Sequence, residues 1–384
     1  MASTDFSHQM NRDAEQHGFQ RSKALFARIH IDLTLLLLLL LLCGSGLLIL
    51  YSASASAQGW PMVQKQGMHY LIGFAVLLFA AQIPPRIYQA LAPWAYAVGV
   101  LALIGVLVLG VSGKGAQRWL AIPGLPRFQP SELMKLALPL LIAWYMASKT
   151  TPPKLITLAK AMLLIAIPLV LILKQPDLGT SILIGTSGIL VLFFAGMPWW
   201  LIFSMISIVA ATAPLMWFFV MHSYQKQRVL TFLNPESDPL GSGWNIIQSK
   251  TAIGSGGVEG KGWLQGTQSQ LEFLPESHTD FIIAVLAEEL GLIGVVSLLV
   301  LYFLIVIRGL YMASSCKSMF GRLLSGSLIV TFFIYVFVNI GMVSGLLPVV
   351  GVPLPLVSWG GTSVVSLLAG FGVMMSMHTH KHKS

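Results

Sequence analysis

Glu276, His278 and Asp280 fall within the eight residues LPESHTDF at 274–281, in a chain of 384 residues of which only 10% are Asp, Glu, Lys or Arg. Two more acids, Glu288 and Glu289, follow inside the apolar run FIIAVLAEELGLIGVVSLLVLYFLIVI. Carboxylates beside an imidazole are groups of general acid and base chemistry. On a helix that begins near Asp280, Glu288 stands about 12 Å along the axis and about 80° around it, with Glu289 near the opposite side. That spacing excludes a glycosidase pair, whose acids lie about 6.5–9.5 Å apart even in inverting enzymes. Asp280 therefore reads as a lone base. Glu288 reads as a packing or supporting residue that stays among the candidate substrate contacts. A structural alternative is open at the same place, with Thr279 as N-cap and the Asp280 carboxylate at the positive end of the helix dipole.

The second charged cluster is GKGAQRWLAIPGLPRFQPSELMKLALP, 113–139. Pro130 suits the first helical position and Glu132 the first turn, and Lys135, three residues later, is within reach of Glu132. A structural ion pair accounts for those two. It does not account for Lys114, Arg118 and Arg127 in the preceding segment, a gathering that suits a pyrophosphate, with Arg offering forked contacts and Lys a point charge. In KQPDLGTS, 174–181, Asp177 reads as an N-cap.

These groups need elements to carry them, and 55% hydrophobic content with repeated apolar runs of about 20 residues makes the chain an integral membrane protein. Ten runs are expected as helices: 32–52, 67–83, 93–112, 130–147, 155–173, 178–195, 198–221, 280–307, 322–347 and 354–377. The class is thus all-α with about ten transmembrane helices. The first run, followed by SASASA, has the look of a cleavable signal, but its length favours a retained helix. The net charge of +9 comes from residues scattered through short connections, which argues against nucleic-acid binding and for a topology signal. Cytoplasmic termini put more than half of the 23 Lys and Arg on the inner side. Residues 1–31 and 378–384 are then cytoplasmic tails around a membrane domain at 32–377. The one long connection, 222–279 between the seventh and eighth helices, is extracytoplasmic, and NIIQSKTAI within it suits a helix lying in the interface.

Of the 14 acidic residues, eight (Glu236, Asp238, Glu259, Glu272, Glu276, Asp280, Glu288 and Glu289) fall between 236 and 289. In GVPLPLVSWGGTS, Pro and Gly interrupt the start of the tenth helix, which membranes tolerate beside protein or a wet cavity, so this stretch reads as a cavity wall. Cys43 and Cys316 have neither a disulfide framework nor metal-ligand spacing. The histidines of HTHKHKS read as a solvated tail rather than a metal site.

GKGAQRWL, FQPSELMK, KQPDLGTS, GKGWLQGTQSQLEFLPESHTDFIIAVLAEELGLIG and LPLVSWGGTS resemble, in order and spacing, the SEDS proteins of bacterial shape, elongation, division and sporulation, and the elongation member more than the division member. The resemblance implies a ten-helix peptidoglycan glycosyltransferase that polymerises lipid II on the outer face of the cytoplasmic membrane, with Asp280 as the essential acid. It implies a class B penicillin-binding protein as partner, through membrane helices for which the eighth and ninth are the expectation, together with other elongation-complex proteins. On this reading Asp280 is catalytic, and Lys114, Arg118, Glu132, Lys135, Glu276, His278, Thr279 and Glu288 contact substrate or shape its site. No cofactor is required by the pattern; a divalent cation, Mg2+ or Mn2+, is kept open as an aid at the pyrophosphate. Ile283, Trp359 and GGVEGKG depart from the usual pattern without removing a chemical group. Two other functions fit many helices with few charges: a flippase for a lipid-linked precursor, and a scaffold for the transpeptidase. Key charges at helix ends rather than at mid-membrane, with no visible repeat, favour interfacial chemistry over transport.

Overall fold

The first long helix begins where Asp32 can cap it, its carboxylate accepting from the Leu35 amide at 2.8 Å. The computed structural model describes residues 29–55, 59–113, 116–120, 128–221, 223–237, 242–271, 273–274 and 276–380. In these, α1 (Leu33–Ala53), α2 (Gly59–Gln82) and α3 (Pro85–Leu109) lead into a short hairpin, β1 (Val111–Gly113) and β2 (Ala116–Trp119). Then come α4 (Pro130–Ala147), α5 (Leu155–Leu173), α6 (Leu178–Phe194) and α7 (Trp199–Leu215), the last continued by a π-helical turn, Met216–Val220. The long connection holds α8 (Ser223–Leu233), α9 (Ser242–Gly256) and the single turn α10 (Thr267–Gln270). The chain closes with α11 (Ile282–Ser315), α12 (Met319–Val343) and α13 (Thr362–Thr379).

Six of these helices, α1, α3, α5, α11, α12 and α13, are long and apolar enough to cross a membrane, and α6 and α7 are shorter apolar helices. The chain is a multi-pass helical membrane protein. Each of the ten apolar runs is a helix. α4 stands at the centre, packed by α3, α6, α12 and α13, while α2 lies along α13 and α1 along α11. One core cluster joins α1, α2 and α11–α13. A second joins α3–α6 to the first turns of α12, at Phe320, Leu323 and Leu324.

Several boundaries differ from expectation for physical reasons. α2 begins at Gly59 rather than 67 because polar residues of its first turns are used inside the protein: buried Gln66 donates to the Ser358 carbonyl and accepts from the Gly360 amide, both at 3.3 Å. The last helix starts at Thr362 rather than 354, since Pro353, Pro355 and the glycines of 351–361 hold the chain in irregular backbone. α11 starts at Ile282, not near 280. Its N-cap is Phe281 with no side-chain cap bond, so Thr279 is not the cap. The NIIQSKTAI helix exists as α9, but it rests its apolar side on α11 and buries Ile246, Ser249 and Ala252. Asp177 does cap its helix, accepting from the Thr180 amide at 3.2 Å. The hairpin is a small addition to the all-α reading; its partners are a few residues of local polar chain, with no apolar alternation to announce it.

Candidate active site

The connection before α11 is held by its backbone. Glu276 adopts φ +56, and its carbonyl accepts from the amides of Thr279 (3.1 Å) and Phe281 (3.3 Å). Its carboxylate takes the Thr279 hydroxyl at 2.7 Å, and Ser277 donates to the Ala53 carbonyl at 3.2 Å. The next three carbonyls each meet a donor from elsewhere in the fold. Trp359 N donates to His278 O (2.9 Å), Ser358 Oγ to Thr279 O (2.5 Å) and Asn339 Nδ2 to Asp280 O (2.9 Å). Asn339, fully buried on α12, also donates to Val352 O at 2.7 Å. The polar residues of LPESHTDF thus fix the main chain on either side of one carboxylate.

That carboxylate lines a cavity of about 360 Å³ together with Arg118, Asp177, Thr279, Gly351 and Trp359. Gly351 has φ +77, and a β-carbon there would lie 3.5 Å from Asp280 Oδ2, so the chain crosses close beside the acid. A second cavity of about 230 Å³ is walled by Arg118, Gln129, Glu132, Lys135, Asp177, Tyr335 and residues 350–364. Arg118, Asp177, Val350, Gly351, Pro353 and Trp359 belong to both walls, which makes the two cavities lobes of one cleft.

The second lobe is organised around an ion pair. Lys135 Nζ lies 2.7 Å from Glu132 Oε1, with the two side chains only 16% and 9% exposed. Ser366 Oγ donates to Glu132 Oε2 at 2.6 Å, and Lys135 lies 5.2 Å from the centre of the Tyr335 ring. The hairpin delivers Arg118, whose Nη2 donates to Pro176 O at 2.8 Å and whose Nη1 is 3.4 Å from Asp177 Oδ2. A cleft with the Asp280 carboxylate in one lobe, and with Arg118 and Lys135 each paired to an acid along its walls, can accept a proton at one end and stabilise an anion at the other.

The fold therefore brings together Asp280, Thr279, Arg118, Glu132 and Lys135. Glu276 and His278 line neither lobe; they build the turn. Glu288 corrects the expectation of a substrate contact: it is fully buried, and it binds Lys261 Nζ at 2.7 Å and the Gln268 amide at 2.9 Å. Lys114 and Arg127 lie outside the described residues. Sequence reasoning missed Asn339, Tyr335 and Ser366. Asn339 was detectable as an amide in the middle of an apolar run, since such residues in membrane helices serve a partner; a lone Tyr and Ser carry no such signal.

The chain matches the FtsW/RodA/SpoVE family model, described as cell cycle protein, over residues 33–383. It is 54% identical over 326 residues to peptidoglycan glycosyltransferase MrdB of Escherichia coli K12, covering 85% of this chain and 88% of that one. Its identity to the probable peptidoglycan glycosyltransferase FtsW of Geobacter metallireducens is 39% over 326 residues, covering 84% and 86%. Among solved structures it is similar to a chain of a peptidoglycan synthase complex that coordinates polymerization and crosslinking, with TM-score 0.80, 30% identity, and coverage of 92% of this chain and 99% of that one. It is also similar to the Rod shape determining protein RodA of Thermus thermophilus, with TM-score 0.70, 28% identity, and coverage of 92% and 98%.

Proposed function

Because the chain belongs to the FtsW/RodA/SpoVE family of SEDS proteins, matched over residues 33–383, we infer that it is a peptidoglycan glycosyltransferase that polymerises lipid II into glycan strands for cell elongation. The observation that carries this reading is the shared cleft, with the Asp280 carboxylate in one lobe and the Arg118 and Lys135 cations in and beside the other. In the reaction the C4 hydroxyl of one lipid-linked saccharide attacks the anomeric carbon of another. The new C–O bond forms as the bond to pyrophosphate breaks, and the leaving group departs with the electron pair as undecaprenyl pyrophosphate. A single displacement converts the α-linked donor into a β-1,4 link.

Asp280 takes the hydroxyl proton, a role that requires hydrogen-bond reach more than an extreme pKa. Its backbone is fixed by Asn339, Ser358 and Trp359, so the carboxylate meets the acceptor without reorganising. Arg118 and Lys135 stabilise the charge that builds on the pyrophosphate, and Glu132 with Ser366 keeps Lys135 in place. Among the described residues no group of three or more His, Cys, Asp or Glu side chains is arranged to hold a metal ion. A divalent cation would therefore draw most of its ligands from substrate phosphates and water.

The cleft faces outward and both termini are cytoplasmic, in accord with the distribution of Lys and Arg. The structurally similar synthase complex supports a transpeptidase partner, and α11 and α12 offer it apolar side chains such as Phe303, Ile307, Phe333 and Phe337, all exposed on this chain. The test is glycan formation from lipid II by the purified protein with its transpeptidase, comparing the parent with Asp280→Asn. Activity in the parent and none in a folded, partner-bound variant is expected. Equal activity would return Asp280 to a structural role; no polymer from either, with lipid II crossing vesicles, would favour the flippase.

A further inference from the structure

α11 is a broken helix, and the long connection fills the break. Gly291 leaves helical geometry with φ 63 and ψ −159, which separates an upper piece, 282–290, from the rest. The groups freed by such a break need partners. They find them in the segment 256–262. The amides of Lys261 and Gly262 donate to the carbonyls of Glu288 (3.0 Å) and Glu289 (2.9 Å), and the amides of Leu292 and Ile293 donate to Gly257 (3.0 Å) and Val258 (3.2 Å). The approach is backbone to backbone. A β-carbon on Gly256 would fall 1.9 Å from Ala287 O, and one on Gly260 would fall 2.1 Å from Glu289 O.

Side chains lock the same contact. Glu288, with none of its side chain exposed, accepts from Lys261 Nζ (2.7 Å), Thr267 Oγ1 (3.1 Å) and Gln268 N (2.9 Å). Glu289 accepts from Ser52 Oγ at 2.6 Å, which ties the upper piece to the end of α1. An unbroken helix would hold its first turn by axial stiffness. A helix interrupted after nine residues cannot transmit that stiffness past Gly291, so lateral contacts set its tilt. Asp280 precedes this upper piece by two residues.

We propose that Lys261 and Glu288 are positioning residues for the glycosyl transfer: by clamping the 256–262 strap onto the upper piece of α11 they fix where the Asp280 carboxylate stands in the cleft. This rests on Asp280 being the reacting acid. Neither residue lines the cleft, so their effect is on the rate of the step rather than on substrate capture. The Lys261 side chain is 27% exposed, which leaves the clamp open to whatever binds the long connection.

The experiment uses the full chain with its transpeptidase and four variants: Lys261→Met, Lys261→Arg, Glu288→Gln and the Lys261→Met/Glu288→Gln pair. Lipid II polymerisation kinetics and amide hydrogen exchange are measured on each. Lys261→Met is expected to lower kcat between about 10- and 100-fold, the range for a small displacement of a reacting group, with KM within about two-fold of the parent. Lys261→Arg recovers most of the rate, and the pair loses no more than the worse single variant, as for two residues acting through one contact. Exchange rises not only at 257–262 and 288–293 but also at 279–286. Faster exchange confined to 257–262 and 288–293, with 279–286 and kcat unchanged, would overturn the proposal by making the clamp a local support. A parent that makes no polymer, while exchange at 279–286 still rises in Lys261→Met, would sink the glycosyltransferase reading and leave the mechanical link standing.

Discussion

Replacing Asn339 by Leu tests how the acid is held. The amide donates to the carbonyls of Asp280 (2.9 Å) and Val352 (2.7 Å), from a side chain that is fully buried. Leu has nearly the same size and no donor, so both carbonyls lose this bond, Val352 O in a buried contact and Asp280 O in a part-buried one. An orphaned buried acceptor costs about 1–3 kcal/mol, so the two together cost at most about 2–6 kcal/mol. Against this, Asn339 Oδ1 is itself buried without a partner, and its removal relieves a comparable single penalty. The net loss is then at most about 1–3 kcal/mol, enough to lower Tm by several degrees. The rate should fall further than the stability suggests, by more than about 10-fold, because the lost bond sits on the main chain of Asp280, the proposed base. Asn339→Asp, which turns an acceptor toward the same two carbonyls, should be worse than Leu. The assay is the initial rate of lipid II polymerisation beside a thermal melt followed by tryptophan fluorescence. An Asn339→Leu protein with Tm unchanged and a rate within about two-fold of the parent, or an Asp variant that outperforms Leu, would refute the reasoning.

Glu132→Gln should leave Lys135 without its charge partner in a cleft wall where both side chains are nearly buried, costing about 3–5 kcal/mol, whereas Ser366→Ala removes one charge-assisted hydrogen bond and costs about 1.5–3 kcal/mol; chemical denaturation with polymerisation rates orders the two. At the opposite end of the bundle His30 and His380 stack with ring centres 3.6 Å apart. Burial, and then the like charge of His30, holds His380 below the ordinary imidazole value of about 6.5, so the neutral form is favoured by folding. That contribution is whole above about pH 6.5 and is lost as pH falls through the lowered value; amide protection at 376–380 should drop on acidification in the parent and stay flat with pH in His380→Phe.

The helices were legible because apolar runs near the length of a bilayer admit few other structures. The cleft was legible in part. Asp280, Arg118, Glu132 and Lys135 stood out as charges in a chain that spends few, and Asp177 read correctly as a cap, although its second partner, Arg118, was not foreseen. What stayed hidden depends on contacts distant in sequence. Thr279 looks like a cap until its hydroxyl is seen on Glu276, and Gln66 looks like a reason to end a helix until Ser358 and Gly360 are placed beside it. The break at Gly291 was invisible for a related reason. A glycine inside an apolar run is ordinary in membrane helices, and only the strap lying against it shows that the helix stops.

The pairing of charge in the cleft bears on where catalytic power arises. Among the described residues the two cations of the cleft each face an acid, Arg118 with Asp177 at 3.4 Å and Lys135 with Glu132 at 2.7 Å. Two bare cations would bind a pyrophosphate tightly before reaction as well as during it, and uniform binding of that kind lowers KM without raising kcat. Paired cations are partly neutralised in the ground state but held in fixed positions, so in the proposed reaction the charge gained as the C–O bond breaks would meet groups that need not move. Arg118 keeps a further buried donor, Nε, without a hydrogen-bond partner. Because that N–H and Nζ of Lys135 belong to different elements, the hairpin and α4, the distance between them is set by the packing that also places Asp280. It follows that substitutions which shift α4 or the hairpin by a fraction of an ångström should lower kcat while leaving KM nearly unchanged, and that removing Asp177 alone should tighten ground-state binding while slowing the reaction. Steady-state kinetics of Asp177→Asn, read as separate kcat and KM, decides this; a variant with raised KM and undiminished kcat would mean that Arg118 serves capture, not the transition state.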